Sequence, residues 1–374
     1  MKLVISSTAL FSHLQAIGRV INSKNTLPIL DCFLFEVNDG VLSLTASDNE
    51  TTMATSLEVI ESDGNCRFAI NAKTILDALK EIPEQPLTFA FNPDTLEILV
   101  QYMNGRYSVV AQNADEYPIP VTLGDSAVHV EMEASTMLNG INRALFATAD
   151  DELRTVMNGI YFDITTDDLT MVASDGHKLV RNKNFATKGN EKAAFILPKK
   201  PATLLKNLLG KEQGAVSIDF DDRNATFTLP NYRMVCRLIE GRYPNYNSVI
   251  PQNNPHKVTI DRAILLSALK RVSVFSSQAS SLIKLRLQDN QLVLSGQDID
   301  FSTSAEETIN CSYSGSPMSI GFKATFLIDI LNNITGQDVI IELADPSRAG
   351  VLVPAEQEEN EDLLMLLMPM MLND

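Results

Sequence analysis

The chain has 374 residues, 45% of them apolar, with 17 Gly and 16 Pro spread along its length and a net charge of −17. That length and composition describe a folded protein of two or three domains and exclude a disordered one. The acidic surplus excludes nucleic-acid binding over the whole surface and leaves room only for a positive face segregated from the acids.

In chain order, the first element is a short strand within MKLVI, followed by an amphipathic helix carrying Leu14, Ile17 and Arg19. The run FLFEVNDGVLSLTASD then alternates apolar and polar residues on both sides of a polar turn, which predicts a β-hairpin ending at Asp48. A second helix is predicted in FAINAKTILDALKEI, with a lysine near its start and an aliphatic stripe along it. The same order returns twice. Leu138, Ile141 and Arg143 repeat the first helix, IYFDITTDDLTMVASD repeats the hairpin and ends at Asp175, and FILPKKPATLLKNLL repeats the second helix. Leu266, Leu269 and Arg271, then IKLRLQDNQLVLSGQD ending at Asp298, then SIGFKATFLIDILNNI, make the third copy. Further strands close each unit. The spacing from Arg106 to Tyr117-Pro118 equals that from Tyr232 to Tyr243-Pro244, and the third unit ends at Met368-Pro369.

The chain therefore reads as three copies of one module. Its predicted class is α+β, each module setting two helices on a layer of β-sheet. The boundaries place module one at 1–123, module two at 124–252 and module three at 253–374, the second boundary in the linker-like PQNNPHK. Repeated modules expose repeated sheet edges, which must be paired or covered. Edge-to-edge pairing leaves one free edge at each end of the array, and two chains joined head to tail close it. Twelve helices of roughly 10 Å each, lining such a ring, leave a hole of roughly 28 Å, wide enough for duplex DNA.

Charge placement fits that expectation. The helices hold Arg19, Lys73, Lys80, Arg143, Lys199, Lys200, Lys206, Arg262, Lys270 and Arg271, while acids gather in DDELR, TTDDL, DFDDR and EQEENEDL. A basic lining of this kind touches phosphates without reading sequence.

Chemistry-bearing constellations are sparse. Ser174, Asp175 and His177 are too close in sequence to align as nucleophile and base. Four scattered histidines give no His-based metal site, and no GxxxxGK[ST] is present for a nucleotide. Four separated cysteines (Cys32, Cys66, Cys236, Cys311) read as small buried hydrophobes. Asp150 and Asp151 are the carboxylate pair that an enzyme built between modules would use; otherwise they belong to a solvated loop. Asp48, Asp175 and Asp298 recur in every module, as turn formers do and catalytic sets seldom do. The N-terminus lacks a signal-peptide pattern and no apolar run spans a membrane, so the expected compartment is the cytoplasm.

The ordered marks TLPIL (Thr26 to Leu30), MNG (Met157 to Gly159), SDGHKL (Ser174 to Leu179), GRYPNY (Gly241 to Tyr246), YSG (Tyr313 to Gly315) and MPMML (Met368 to Leu372) run through the whole chain. In these it resembles the β subunits of bacterial DNA polymerase III, the DNA sliding clamps. The resemblance implies a homodimeric ring around double-stranded DNA, without catalytic activity or cofactor. It would load with a separate clamp loader and work at the nucleoid during replication. It implies a cleft receiving replicative and repair polymerases, the clamp loader, mismatch-repair proteins and ligase. By position the cleft takes Met157, Ser174, Gly176, His177, Lys178, Leu179, Pro244, Ser248, Val249, Leu367, Met368, Pro369 and Met370. Lys24 and Arg154 are implied DNA contacts, beside Lys73, Lys199 and Lys200 of the helices. The implied dimer seam sets Arg106, Tyr107 and Val109 of one chain against Val274 and Phe275 of the other. This chain departs from the family pattern in Thr155-Val156 before MNG, in Met371 before the last leucine, in the acidic insert EQEENED, and in Asn373 and Asp374 after Leu372.

Overall fold

A computed structural model describes residues 1–124 and 126–372, so the two C-terminal residues Asn373 and Asp374 lie outside the described chain. The first module runs β1 (Lys2–Ser6), α1 (Ser7–Ile17), β2 (Cys32–Asn38), β3 (Val41–Ser47), β4 (Thr51–Glu58), β5 (Glu61–Ser62), β6 (Cys66–Asn71), α2 (Ala72–Lys80), β7 (Pro86–Phe91), β8 (Glu97–Tyr102) and β9 (Gly105–Val110). The second runs β10 (Val128–Glu133), α3 (Ala134–Leu145), β11 (Gly159–Ile164), β12 (Leu169–Ser174), β13 (Lys178–Asn184), β14 (Ala193–Pro198), α4 (Lys199–Leu209), β15 (Ala215–Phe220), β16 (Asn224–Thr228) and β17 (Tyr232–Arg237). The third runs β18 (His256–Asp261), α5 (Arg262–Ser273), β19 (Leu282–Gln288), β20 (Gln291–Asp298), β21 (Thr303–Asn310), β22 (Met318–Lys323), α6 (Ala324–Asn333), β23 (Asp338–Leu343), β24 (Gly350–Pro354) and β25 (Glu361–Leu367). Apart from the short β5, one order of strands and helices appears three times.

Local chemistry sets these elements. The last residue of the strand before a helix serves as its cap: Ser6 accepts from the Ala9 amide, Asn71 from Thr74 and Asp261 from Ile264. Asp39 and Gly40 both have positive φ in the β2–β3 turn, the geometry that joins two twisted strands tightly. The three repeated aspartates behave alike. Asp48 Oδ1 accepts from the Glu50 and Thr51 amides, Asp175 Oδ1 from His177 and Lys178, and Asp298 Oδ1 from Asp300 and Phe301. Each is a turn former.

By contacts the chain divides into two compact units, although its elements repeat three times. One comprises Met1–Leu138 and Thr203–Leu238, the other Asn139–Ala202 and Ile239–Asp374. In the first, a five-stranded sheet has the order β5-β1-β7-β8-β9 and an eight-stranded sheet the order β10-β15-β16-β17-β4-β3-β2-β6. Phe35 and Phe68 stack in its core at 5.3 Å between centroids, and Phe91 lies 4.8 Å from Phe68. In the second, an eight-stranded sheet has the order β14-β11-β12-β13-β25-β24-β23-β18 and a four-stranded sheet the order β21-β20-β19-β22. Phe162 and Phe195 stack there at 4.5 Å.

Each eight-stranded sheet crosses from one module to the next. In the first unit β4 pairs antiparallel with β17, and in the second β13 pairs antiparallel with β25. Both junctions join the third strand of one module's hairpin set to the closing strand of the following module.

Arg143, expected among the lining cations, is instead buried. It pairs with Glu358 at 2.7 Å and with Glu361, and donates to Asn182 Oδ1. The acidic insert therefore has a partner inside the second unit. Burial opposes ionisation of Glu358, but the Thr335 hydroxyl and the Arg143 charge outweigh it and hold its carboxyl below the usual range. Arg19 also departs from expectation, lying in a short 3-10 turn past α1. Removing Arg143 leaves Glu361, whose side chain is 7% exposed, without its counter-charge. Arg143→Met should therefore cost about 3 kcal/mol in urea unfolding; a loss below about 1 kcal/mol would show that the insert is not anchored by this pair.

Candidate functional site

The second unit places most of the expected cleft residues on a turn, a loop and a strap. The turn follows β12. Ser174 Oγ donates to the Lys178 carbonyl at 2.9 Å and accepts from the Gly176 amide at 3.1 Å. Gly176 has φ of 90°, which favours glycine. Asp175 takes the Lys178 ammonium at 2.6 Å. Burial alone would raise the Asp175 carboxyl, but Lys178 and the two turn amides hold it below its ordinary value. Its charge thus stabilises the turn above the unfolded carboxylate pKa of about 3.9, and this is lost as pH falls through the lower folded value.

Beneath the turn lies an apolar floor. Val172, Leu179, Ile196, Tyr243, Ile250, Ala349 and Leu366 form one buried cluster, with Val156, Tyr161, Ile239, Tyr246 and Leu364 packed against it. Tyr161 and Tyr243 stack at 4.7 Å and 6°. Pro244, Ser248 and Val249 are exposed on the loop beside Tyr243. Leu179 and Leu367 are buried, as are Met157, Ser174 and Lys178, so these five support the surface more than they line it.

The strap is the segment after β25. The Met368 amide donates to the His177 carbonyl, and the Met370 amide to the Gly321 carbonyl, both at 2.8 Å. A Cβ on Gly321 would lie 2.7 Å from the Met370 carbonyl oxygen, so only glycine lets the strap run this close to β22. Met368 and Met371 are exposed, while Pro369 and Met370 are half-buried.

Phe326 of α6 completes this surface, and the sequence reading missed it. His177 stacks on its ring at 5.9 Å, and the ammonium groups of Lys178 and Lys323 lie 4.2 and 4.7 Å from its centroid. The aromatic ring hid inside what reads as an aliphatic stripe; only the pairing of β13 with β25 and the strap's path to β22 bring it to the turn.

The remaining expected residues lie apart from this surface. Lys24 and Lys73 are exposed in the first unit. In the second, Arg154 Nε donates to Asp151 Oδ2 at 2.8 Å and Lys199 reaches Asp150 at 2.6 Å, while Lys200 lies beside Lys199 in the first turn of α4. Asp151 also accepts from the Leu153 and Arg154 amides, and the Arg154 guanidinium leads in holding its carboxyl low. The two carboxylates that an enzyme reading would use are thus occupied in ordering a loop and pairing cations. Arg106 is exposed and Tyr107 and Val109 are half-buried on β9, the outermost strand of its sheet. Val274 is 76% exposed and Phe275 42% at the end of α5, beside β21, which is outermost in its own sheet. Burial pushes the Cys32 and Cys66 thiols up to about 11, away from nucleophilic use at neutral pH. Among the described residues no group of His, Cys, Asp and Glu could hold a metal, and no helix is long and apolar enough to cross a membrane.

Comparison with known proteins matches residues 1–122, 131–245 and 247–371 to the N-terminal, central and C-terminal domains of the DNA polymerase III beta subunit. The chain is 27% identical to the beta sliding clamp of Pseudomonas putida over 373 residues, covering 100% of both chains. It is 28% identical to that of Haemophilus influenzae, covering 98% of this chain and 99% of the relative. Among solved structures, the Pseudomonas aeruginosa sliding clamp bound to griselimycin superposes with a TM-score of 0.94 at 25% identity, and the Bartonella birtlesii clamp with 0.92 at 25%, each over 100% of both chains.

The strap's dependence on a bare Cα at 321 is testable. In Gly321→Val, hydrogen exchange at the Met368 and Met370 amides should rise at least about tenfold while β12 and β13 keep their rates. Unchanged exchange at Met370 would mean that the strap is not held against β22.

Proposed function

The chain belongs to the family of DNA polymerase III β subunits, the sliding clamps, and from that membership we propose how its own residues divide the work. It is a DNA sliding clamp, a processivity factor of a DNA polymerase that has no catalytic activity of its own. Its partners are DNA, the polymerase and a second copy of itself.

We assign the modules to 1–123, 124–252 and 253–374. The observation that carries the ring reading is the junction made twice, once at β4 and β17 and once at β13 and β25. One third strand, β21, and one closing strand, β9, are left as outer strands. A second copy placed head to tail supplies the missing partner to each. The seam then sets Arg106, Tyr107 and Val109 of one protomer against Val274 and Phe275 of the other, an aromatic and aliphatic contact suited to a lasting interface.

Inside the ring, Lys24, Lys73, Arg154, Lys199 and Lys200 meet phosphates and read no bases. The turn Ser174–Leu179, the loop Pro244–Val249 and the strap Leu367–Met370 form one adaptable surface, in which methionine suits a site that serves several ligands. Its ligands are short apolar segments of replicative and repair polymerases, the clamp loader, mismatch-repair proteins and ligase. The protein works in the cytoplasm, on the nucleoid during replication.

Topology gives the deciding experiment. The protein is loaded by its clamp loader onto nicked circular DNA, the DNA is linearised, and release is followed by gel filtration at high salt. Retention on circles with rapid loss from linear ends is expected, because phosphate contacts alone would not survive the salt. Equal loss from both forms, with an active loader, would sink the encircling reading. Deleting residues 368–374 should abolish binding of a polymerase-tail peptide and leave the dimer intact; undiminished binding would move the cleft elsewhere. Phe275→Asp should sediment as a monomer, and an unchanged dimer would remove the seam.

A further inference from the structure

The turn after Asp298 differs from its two counterparts. In the first module the turn residues are Asn49 and Glu50, and in the second Gly176 and His177; in the third they are Ile299, Asp300, Phe301 and Ser302. Ile299 is 80% exposed and Phe301 79%. The backbone beneath them is tied down. Asp298 Oδ1 accepts from the Asp300 and Phe301 amides at 3.1 and 3.2 Å, and the Ser302 amide donates to the Ile299 carbonyl. Two large apolar side chains are therefore held in water by an ordered turn. The ends of β20 and α5 meet beside it: a Cβ on Gly296 would lie 3.4 Å from the Ser276 Cβ, and the Ser277 amide donates to the Gln297 carbonyl. The turn thus leaves β20 next to the segment that follows Val274 and Phe275.

The internal repeat says what lies across from it. In the first unit Cys236 pairs with Thr51, and the next residue, Arg237, donates its amide to the carbonyl of the turn residue Glu50 at 2.9 Å. In the second unit Leu367 pairs with Lys178, and Met368 donates to the turn residue His177 at 2.8 Å. Thr303 occupies the place of Thr51 and Lys178, because it pairs with Asp298 where Thr51 and Lys178 close on Asp48 and Asp175. On the other side, β9 and β17 correspond residue for residue. Ala111 and Leu238 both donate back across their hairpins at 2.7 Å, and the amides of Gln112 and Ile239 then reach Ala69 and Ile196. Val109 therefore stands where Cys236 stands, and Val110 where Arg237 stands.

We infer that the turn Asp298–Ser302 seats on Val110 of a second copy of this chain, so that Ile299 and Phe301 form an apolar lock at the end of the ring seam. The inference rests on the seam reading given above and deepens it. The register follows: Thr303 pairs with Val109 of the second copy, Ser304 with Ser108, Ala305 with Tyr107 and Glu306 with Arg106. Its chemistry is consistent at each step. Val110 is 75% exposed, a third large apolar side chain otherwise left in water. Tyr107, the largest side chain on β9, falls opposite the small Ala305, on the side of β21 where Glu307 meets Arg271 of α5. Arg106, exposed on the outer strand of its sheet, falls opposite Glu306, which Arg286 approaches at 3.6 Å. Opposite charges facing across a strand pair stabilise it.

The test is dimer dissociation of the full-length protein, by sedimentation velocity over a dilution series. The double variant Ile299→Ser, Phe301→Ser should raise the dissociation constant by roughly a hundredfold. Both side chains are exposed in the protomer, so its thermal unfolding as a monomer should not change. Arg106→Glu and Glu306→Arg should each weaken the dimer, and the two together should restore it. If Phe275→Asp gives monomers while the serine double variant keeps its dissociation constant and the charge swap fails to rescue, the seam stands and the lock and register are wrong. If Phe275→Asp leaves the dimer intact, the seam itself is wrong and the lock falls with it.

Discussion

An antiparallel strand with one bare edge carries unpaired amides and carbonyls, and this structure is organised around pairing them. The third strand of each hairpin set is the edge in question. Twice it is satisfied by the closing strand of the next module, along five residue pairs at β4 and β17 and seven at β13 and β25. Those pairings convert three sequence modules into two compact units, because the central module gives one half to each neighbour. This chain is left with one outer strand of each kind, β9 and β21, and in the arrangement proposed above a symmetric second copy meets both.

The two internal junctions are held by different chemistry. At β4 and β17 the five pairs include Met234 with Met53 and Cys236 with Thr51, backed by the Thr55 hydroxyl donating to the Asn231 carbonyl. At β13 and β25 the flanks are ionic: Arg181 meets Asp362 at 2.5 Å, and Arg143 meets Glu358 and Glu361. A buried pair is weak evidence for net stability, since desolvation offsets much of the attraction. What it does supply is discrimination, because a slipped register would leave Arg143 and Glu361 buried and unmatched. The acidic insert, which looks in the sequence like surplus solvent-exposed charge, is in part the counter-charge for this junction.

Much of the fold was legible because its signals are local. Period-2 runs around polar turns gave the hairpins, and the recurrence of Asp48, Asp175 and Asp298 marked equivalent turns before any contact was known. The strap was marked by its methionines and Pro369. What escaped the sequence depends on pairing between distant segments. Arg143 lies in the same helical pattern as Arg271, yet one is buried against acids 215 and 218 residues further on and the other pairs with Glu307 at the surface. Phe326 follows the core-like spacing of α6, and only the path of the strap makes it part of a surface. The spacing of Arg106 to Tyr117 against Tyr232 to Tyr243 also misled by one residue. The hairpin hydrogen bonds make Gly105, not Arg106, the counterpart of Tyr232. A one-residue slip turns every side chain to the opposite face.

The net charge of −17 is compatible with work on DNA for a reason the structure makes concrete. Two of the five cations assigned to the DNA path are not left as bare positive charge: Lys199 shares its ammonium with Asp150, and Arg154 its guanidinium with Asp151. Each such pair lowers the attraction for phosphate and the number of counterions released on contact. For a protein that held DNA by affinity this would be a defect. A ring holds by topology, so its inner contacts need only centre the duplex, and strong phosphate binding would act as friction on sliding. Retention on a closed circle then depends on the seam between copies, which in the arrangement proposed above is made of a few apolar residues and strand hydrogen bonds. With the seam as proposed above, the selective demand for strength falls on β9, β21 and the turn at Asp298, and the demand for weakness on the helices.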